Sequence, residues 1–95
     1  MSSSSSHEKV REFKILNRYG IHARPAALFA KTAAKFDAEV FVEKDGSRVS
    51  GKSIMGLMTL EASIGTVLRV VAIGPDADAL LAEIADLIKR KFDED

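Results

Sequence analysis

The stretch EVFVEKDGSRVSGKS, residues 39–53, decides between two folds for this chain. Its last eight residues, GSRVSGKS at 46–53, fit the pattern G-x-x-x-x-G-K-[ST] of a phosphate-binding P-loop at every required position. A strand-like run precedes the pattern and an apolar, helix-like run follows it. The first functional question is therefore whether the chain binds a nucleotide.

The turn chemistry of the same stretch argues against a P-loop. Asp45-Gly46 is a hairpin-turn dipeptide, so a strand over 39–44 is expected to return as a short antiparallel strand over 48–50. A P-loop instead follows a parallel strand and begins a long helix, whereas the helix predicted here spans only residues 54–60. The sequence therefore predicts a hairpin, and the P-loop match is interpreted as a coincidence.

Hydrophobic periodicity predicts the remaining elements. Phe13 and Ile15 alternate with polar residues in a strand over 11–16, and a second, more apolar strand follows the short helix. The order β-α-β-β-α-β-α predicts an α+β fold, in which helices cover one face of a four-stranded antiparallel sheet. Besides the hairpin and the short helix, the predicted elements are a strand over 11–16, an alanine-rich helix from Pro25 to Phe36, a strand over 66–73 and a helix over 76–91.

The two longer helices each carry an apolar stripe that is expected to form the core. On the sheet face that should be exposed, Val71 and Ile73 are more apolar than solvent contact requires, which suggests a partner or weak self-association. The predicted stripes are Leu28, Phe29, Thr32, Ala33 and Phe36 on the first helix, and Leu80, Leu81, Ile84, Leu87 and Ile88 on the last.

Composition narrows the class of protein. The chain has 95 residues, fourteen Lys/Arg, fourteen Asp/Glu and no cysteine. The balanced charge predicts neither a nucleic-acid partner nor binding to an anionic membrane, and the lack of cysteine excludes disulfides and thiol chemistry. We expect a cytoplasmic protein without membrane insertion, metal or cofactor, with a disordered serine-rich tail at residues 1–9 and one domain at residues 10–92.

The residues with most chemical information lie in YGIHARPAALFAKTA, residues 19–33. His22 precedes a helix whose first turn contains Arg24 and Pro25, so free backbone N–H groups, the helix dipole and a guanidinium converge on one anion site. A neutral imidazole can accept a phosphoryl group there as a nucleophile. No general base or metal cage lies nearby in sequence, which favours transfer between partner proteins over independent catalysis. The alternative is that His22 merely caps the helix and Arg24 is a solvated surface residue.

Two segments resemble signatures of one family, the HPr phosphocarriers of the bacterial phosphoenolpyruvate-dependent sugar phosphotransferase system (PTS). GIHARPA at 20–26 resembles the active-site signature, and GKSIMGLMTLEASIGT at 51–66 resembles a second signature around a regulatory serine. The resemblance implies an open-faced β-sandwich and a carrier that is not itself an enzyme. It also implies that phospho-Enzyme I phosphorylates His22 on Nδ1, that Arg24 neutralises the phosphoryl group, and that the group passes to an EIIA-type domain.

Ser53 has two compatible interpretations. Serine is among the best residues for the N-cap of a helix, and Ser53 directly precedes the predicted short helix. The resemblance implies in addition that an ATP-dependent HPr kinase/phosphorylase phosphorylates it. A phosphate at a helix N-terminus is compatible with the helix dipole, so its effect on partners would be local charge and steric hindrance rather than unfolding.

The apolar residues that follow Ser53 cannot all face inward on so short a helix. We expect Met55 and Met58 at the surface near His22, in a docking patch that also includes Ile54 and Lys52; the alternative is that the apolar members all belong to the core. We expect a monomer whose partners are Enzyme I, EIIA-type domains, HPr kinase/phosphorylase and a transcriptional regulator. The competing function is a regulatory or interaction module of the same fold that carries no phosphate, and His22 argues against it.

Overall fold

The computed structural model describes residues 8–94 and contains one four-stranded antiparallel sheet, in the order β1-β4-β2-β3. The order β-α-β-β-α-β-α and the open sheet with helices on one face confirm the predicted fold class. The first seven residues of the predicted tail lie outside the described residues. The strands are β1 (Glu8–Lys14), β2 (Glu39–Lys44), β3 (Ser47–Ser50) and β4 (Val67–Ile73), and the helices are α1 (Ala23–Ala33), α2 (Ile54–Thr59) and α3 (Ala77–Lys89).

Strand β1 begins earlier than the alternation of Phe13 and Ile15 predicts. It starts at Glu8, inside the segment assigned to the tail, and Lys9 pairs with Ala72 of β4. Charged residues such as Lys9 give no period-2 pattern, so pairing with the central strand β4 decides where this strand starts.

The hairpin between β2 and β3 confirms the turn prediction. Lys44 pairs with Ser47 across a two-residue loop, and Asp45 and Gly46 have positive φ values of 50° and 85°. Positive φ at both central residues is the requirement of the tight hairpin turn that Asp-Gly favours. A two-residue reversal followed by the six-residue helix α2 is not the architecture of a P-loop, so the nucleotide-binding interpretation has no structural support.

Helix α1 is shifted relative to its prediction. It begins at Ala23 rather than Pro25 and ends at Ala33 rather than Phe36, and Leu28, Thr32 and Phe36 are only partly buried. The helix turns its small alanines toward the sheet, which allows close packing, and the ring of Phe29 packs on Gly51. The buried residues of α1 are Pro25, Ala26, Phe29, Ala30 and Ala33.

The stripe predicted for α3 is fully buried, which confirms that part of the core. The helix itself ends at Lys89, two residues before the predicted end, and Arg90 leads into a left-handed turn at Lys91–Asp93. The three residues of this turn have φ values of 56°, 54° and 59°, and the middle one, Phe92, is completely buried. The chain therefore folds back onto the domain after α3, which the helical pattern does not predict.

The sheet face away from the helices is better covered than its sequence suggests. Val71 was expected to be exposed, but it is only 1% exposed, and Ile73 is half-buried. Val71 lies between Val10 of β1 and Phe41 of β2 in the strand register, so its neighbours on the same face shield it. The guanidinium of Arg48 adds a further layer 4.3 Å from the centre of the Phe41 ring.

Candidate functional site

His22 occupies the N-cap of α1 in an extended conformation. Its carbonyl oxygen accepts a hydrogen bond from the backbone N–H of Ala26 at 2.9 Å, while its imidazole makes no capping bond to the helix. The imidazole therefore does not serve as a helix cap, which was the alternative interpretation, and 41% of the side chain is exposed. The nitrogen atoms remain available for other contacts.

The loop before His22 is fixed against the chain that follows α2. Gly20 has a φ of 66°, and a Cβ at this position would lie 2.2 Å from the carbonyl oxygen of Ala62. The N–H of the next residue, Ile21, donates to that same oxygen at 2.8 Å. Only glycine allows this close approach, so Gly20 sets the position from which His22 enters the helix.

A carboxylate contacts the imidazole. The Nε2 atom of His22 lies 3.0 Å from Oε1 of Glu94, which follows the left-handed turn. The Glu94 side chain is only 17% exposed, so this contact is less hydrated than a typical surface pair. The aromatic ring of Tyr19 stands edge-on to the imidazole, with 6.3 Å between ring centres.

Asn17 holds Glu94 in place from beneath. Its side chain is fully buried, and its Nδ2 donates to the carbonyl oxygen of Gly20 at 2.7 Å and to Oε1 of Glu94 at 3.0 Å. Among residues 8–94 its Oδ1 has no hydrogen-bond partner. Asn17 therefore links the loop that positions His22 to the carboxylate that contacts it.

These contacts keep Glu94 ionised. The hydrogen bond with His22, followed by the one from Asn17, holds the pKa of Glu94 below its usual value, against an opposing effect of burial. The charges of His22 and Arg24 act in the same direction. Glu94 is accordingly an acceptor of hydrogen bonds at neutral pH.

Arg24 is the second residue of α1 and is exposed. Within the described part of the chain it forms no ion pair with a carboxylate. The first turn of α1 contains no acidic residue, so on the helix side of His22 the free N–H groups and Arg24 present positive charge, opposite the carboxylate of Glu94 on Nε2. This combination suits an anion with several oxygens, such as a phosphoryl group.

Ser53 is the N-cap of α2, as the sequence predicts. Its Oγ accepts a hydrogen bond from the backbone N–H of Gly56 at 2.9 Å, and the residue is partly exposed. The other end of α2 is held by Lys44, whose Nζ donates to the carbonyl oxygen of Leu60 at 2.8 Å. Both ends of this six-residue helix are therefore stabilised by side chains.

Helix α2 presents an apolar surface to solvent. Met55 is 76% exposed, and Ile54 and Met58 are exposed as well, whereas Leu57 is buried in the core. The predicted exposure of Met55 and Met58 is thus confirmed. Lys52 is exposed beside them, and α2 packs against α1, the helix that His22 caps.

Comparison with known proteins now identifies the family. The family described as "PTS HPr component phosphorylation site" matches residues 9–90. The chain belongs to the HPr family. It is 44% identical to the phosphocarrier protein HPr of Treponema pallidum over 86 residues, which is 90% of this chain and 98% of that protein.

Solved HPr structures share the fold. A crystal structure of HPr from Thermoanaerobacter tengcongensis has a TM-score of 0.87 and 46% identity, with 92% of this chain and 98% of that one covered. A structure of an HPr dimer from the same organism has a TM-score of 0.73 and 48% identity, covering 86% and 94% of the two chains. Within residues 8–94, no helix has the length and apolarity that a membrane crossing needs.

The HPr signatures contain only part of the site. His22 and Arg24 lie in the first signature and Ser53 in the second, but Asn17 and Glu94 lie outside both. Glu94 contacts His22 across 72 positions of sequence, and no local pattern in the run KFDED marks it as a site residue. Asn17 reads as an ordinary loop residue, and its complete burial is visible only in the fold.

Proposed function

We propose that this protein accepts a phosphoryl group on His22 from phospho-Enzyme I and passes it to EIIA-type domains of the PTS. The observation that supports this most directly is the exposed imidazole of His22 at the N-terminus of α1, with Arg24 in the first turn. A nucleophile and the positive groups that stabilise a bound phosphoryl group thus share one end of one helix.

The protein acts as a carrier and not as an independent catalyst. In the described residues no group of three or more His, Asp or Glu side chains is placed to hold a metal ion. The carboxylate beside His22 contacts a ring nitrogen, so it acts on the histidine itself. The donor protein supplies the activated phosphoryl group, and the acceptor protein supplies the next nucleophile.

Ser53 provides regulation in this proposal. HPr kinase/phosphorylase phosphorylates it with ATP, and the added charge acts on partner binding and on the approach of a second phosphate. The N-cap geometry of Ser53 supports this, because a phosphate there faces the N-terminus of α2 without breaking the fold. The residue is also partly exposed.

The docking surface is Lys52, Ile54, Met55 and Met58 on and beside α2. Exposed methionines adapt to several partners, which suits a carrier that meets Enzyme I, EIIA domains, the kinase and a transcriptional regulator in turn. The protein works in the cytoplasm, where those partners act. It does so as a monomer, since the active face must be open to each partner, although an HPr relative has been crystallised as a dimer.

The test is phosphoryl transfer in a purified system. With Enzyme I and phosphoenolpyruvate the protein should gain an acid-labile, base-stable adduct. His22→Ala should abolish it, and His7→Ala is the matched histidine control that should retain it. Absence of the adduct in the wild type would instead support the non-carrier module, and its persistence in His22→Ala would place the site elsewhere.

A second reaction tests the serine. HPr kinase and ATP should produce an acid-stable adduct that Ser53→Ala abolishes, while Ser50→Ala keeps it. Ser53→Asp should slow phosphorylation of His22, because the added negative charge repels the incoming phosphoryl group. An unchanged rate in Ser53→Asp would contradict that coupling.

A further inference from the structure

We propose that Glu94 is a positioning residue that fixes the proton of His22 on Nε2 and leaves Nδ1 as the nucleophilic nitrogen. The reaction it serves rests on the proposed carrier function. The tautomer itself is a property of the resting protein and can be measured without any partner.

The argument starts from the contact between the two side chains. An ionised carboxylate only accepts hydrogen bonds, so the 3.0 Å contact with Oε1 of Glu94 requires that Nε2 of His22 be the donor. A neutral imidazole carries one ring proton, and placing it on Nε2 leaves the lone pair on Nδ1. Nδ1 has no hydrogen-bond partner among residues 8–94.

The position of the carboxylate is determined by two anchors. Asn17 donates to the same Oε1 atom that contacts His22, and Asn17 is itself fixed by its bond to Gly20. Two residues before Glu94, the buried ring of Phe92 holds the turn against the core. Glu94 therefore reaches the imidazole from a supported position.

The geometry also accounts for the charge that develops during transfer. The lone pair of Nδ1 attacks phosphorus and forms the Nδ1–P bond, while the bond between phosphorus and the donor breaks and its electron pair stays with the donor. No proton needs to leave, because Nε2 keeps its hydrogen. The ring thereby acquires positive charge, and the carboxylate of Glu94 stabilises it as Arg24 stabilises the phosphoryl oxygens.

The first test measures the tautomer in the resting protein. Nitrogen NMR of the full chain, above the titration range of the ring, should show the His22 proton on Nε2 in the wild type. Comparison with His7→Ala assigns the signals. Glu94→Ala should shift His22 toward the tautomer mixture of a histidine in a short peptide, whereas Asp93→Asn, at an exposed neighbouring position, should leave it unchanged.

Glu94→Gln separates the hydrogen bond from the charge. Its amide oxygen can still accept from Nε2, so the tautomer should stay close to that of the wild type. The charge that stabilises the phosphorylated ring is lost, and transfer from Enzyme I should slow by about threefold. Glu94→Ala loses both effects and should slow by about tenfold, near the lower limit for a charge-assisted hydrogen bond.

A chemical reaction without partners gives an independent measurement. Phosphoramidate should modify the wild-type ring mainly on Nδ1, and phosphorus NMR distinguishes this adduct from the one on Nε2. Glu94→Ala should raise the Nε2 share severalfold. A simple structural role for Glu94 would not change this ratio.

The outcomes separate the two proposals. If Glu94→Ala keeps the tautomer and the adduct ratio of the wild type, the inference about Glu94 is wrong even when Enzyme I phosphorylates the protein. If the tautomer and ratio change as expected but Enzyme I transfers nothing to the wild type, the carrier proposal fails and the inference stands. Circular dichroism will show whether Glu94→Ala still folds. If it does not, Glu94→Gln remains as the test, and phosphoryl transfer at the wild-type rate in that variant would show that the charge of Glu94 does not stabilise the phosphorylated ring.

Discussion

Glu94 links the ionisation of one side chain to the stability of the fold. Its pKa is lowered by the hydrogen bond with His22 and then by that with Asn17, so the folded protein favours the deprotonated carboxylate. A carboxyl group of this kind stabilises the fold fully above its ordinary pKa of about 4.3. That contribution disappears as the pH falls through the lower value it has in the folded protein.

Glu94→Gln should therefore destabilise the protein in a pH-dependent way. Urea unfolding at pH 6–7 should show a lower free energy of unfolding than for the wild type, and the difference should shrink as the pH is lowered from about 5 to 3. Glu83→Gln changes an exposed carboxylate on α3 and should show a much smaller pH-dependent difference. A difference for Glu94→Gln that is constant over this range would show that the carboxylate charge is not its origin.

The residues of the site differ in how far sequence can predict them. His22, Arg24 and Ser53 are predictable because capping and anion binding are local properties of helix N-termini. Asn17 and Glu94 are not, since their significance arises from contact across 77 positions. Only the folding of the last residues onto the domain creates that contact.

The left-handed turn at Lys91–Asp93 is the element that brings the end of the chain to the site. Each non-glycine residue in this conformation costs roughly 1–2 kcal/mol relative to a right-handed one. Burial of Phe92 and the contacts of Glu94 offset that cost. The turn is thus locally unfavourable and is maintained by tertiary contacts.

Glycine substitution should distinguish this turn from the helix before it. Lys91→Gly, at a φ of 56°, should raise the free energy of unfolding by about 0.5–1 kcal/mol because glycine adopts this conformation freely. Lys89→Gly, in the last turn of α3, should lower it by up to about 1 kcal/mol. Urea unfolding of both variants provides the measurement, and a clear destabilisation by Lys91→Gly would contradict the assigned conformation.

Helix α1 shows why element boundaries and faces are harder to predict than element order. Its alanines supply little periodic contrast, so Leu28 and Phe36 dominated the predicted stripe. The packed structure uses Ala26 and Ala30 instead, because small residues permit close contact. The strong contrast in α3 allowed its whole stripe to be predicted.

In the molecule as a whole, the sheet face opposite the helices carries a second apolar layer, which is thinner than the core and is centred on Val71. Val71 is as well covered there as residues beneath the helices. On the same face, charged side chains of neighbouring strands are paired. Arg69 of β4 donates to Glu43 of β2 at 2.7 Å, and Arg48 of β3 contacts the same carboxylate at 3.2 Å. Val71 is therefore shielded within this face, whereas Val10 and Val67 at its margins remain exposed.

A matched pair of substitutions tests that layer. Val71→Thr places a hydroxyl in a covered position and should lower the free energy of unfolding by about 1–2 kcal/mol. Val67→Thr, on the same strand and face but 50% exposed, should change it by less than about 0.5 kcal/mol. Equal effects in urea unfolding would mean that Val71 is not shielded from water.

Because Glu94 contacts His22, local opening of residues 91–94 would change the surroundings of the imidazole. Within the described part of the chain the amide of Glu94 donates to one acceptor, the carbonyl oxygen of Lys91 at 3.0 Å, so hydrogen exchange there should be far faster than in β4. Each such opening would separate the imidazole from its carboxylate while the strands of the sheet stay paired.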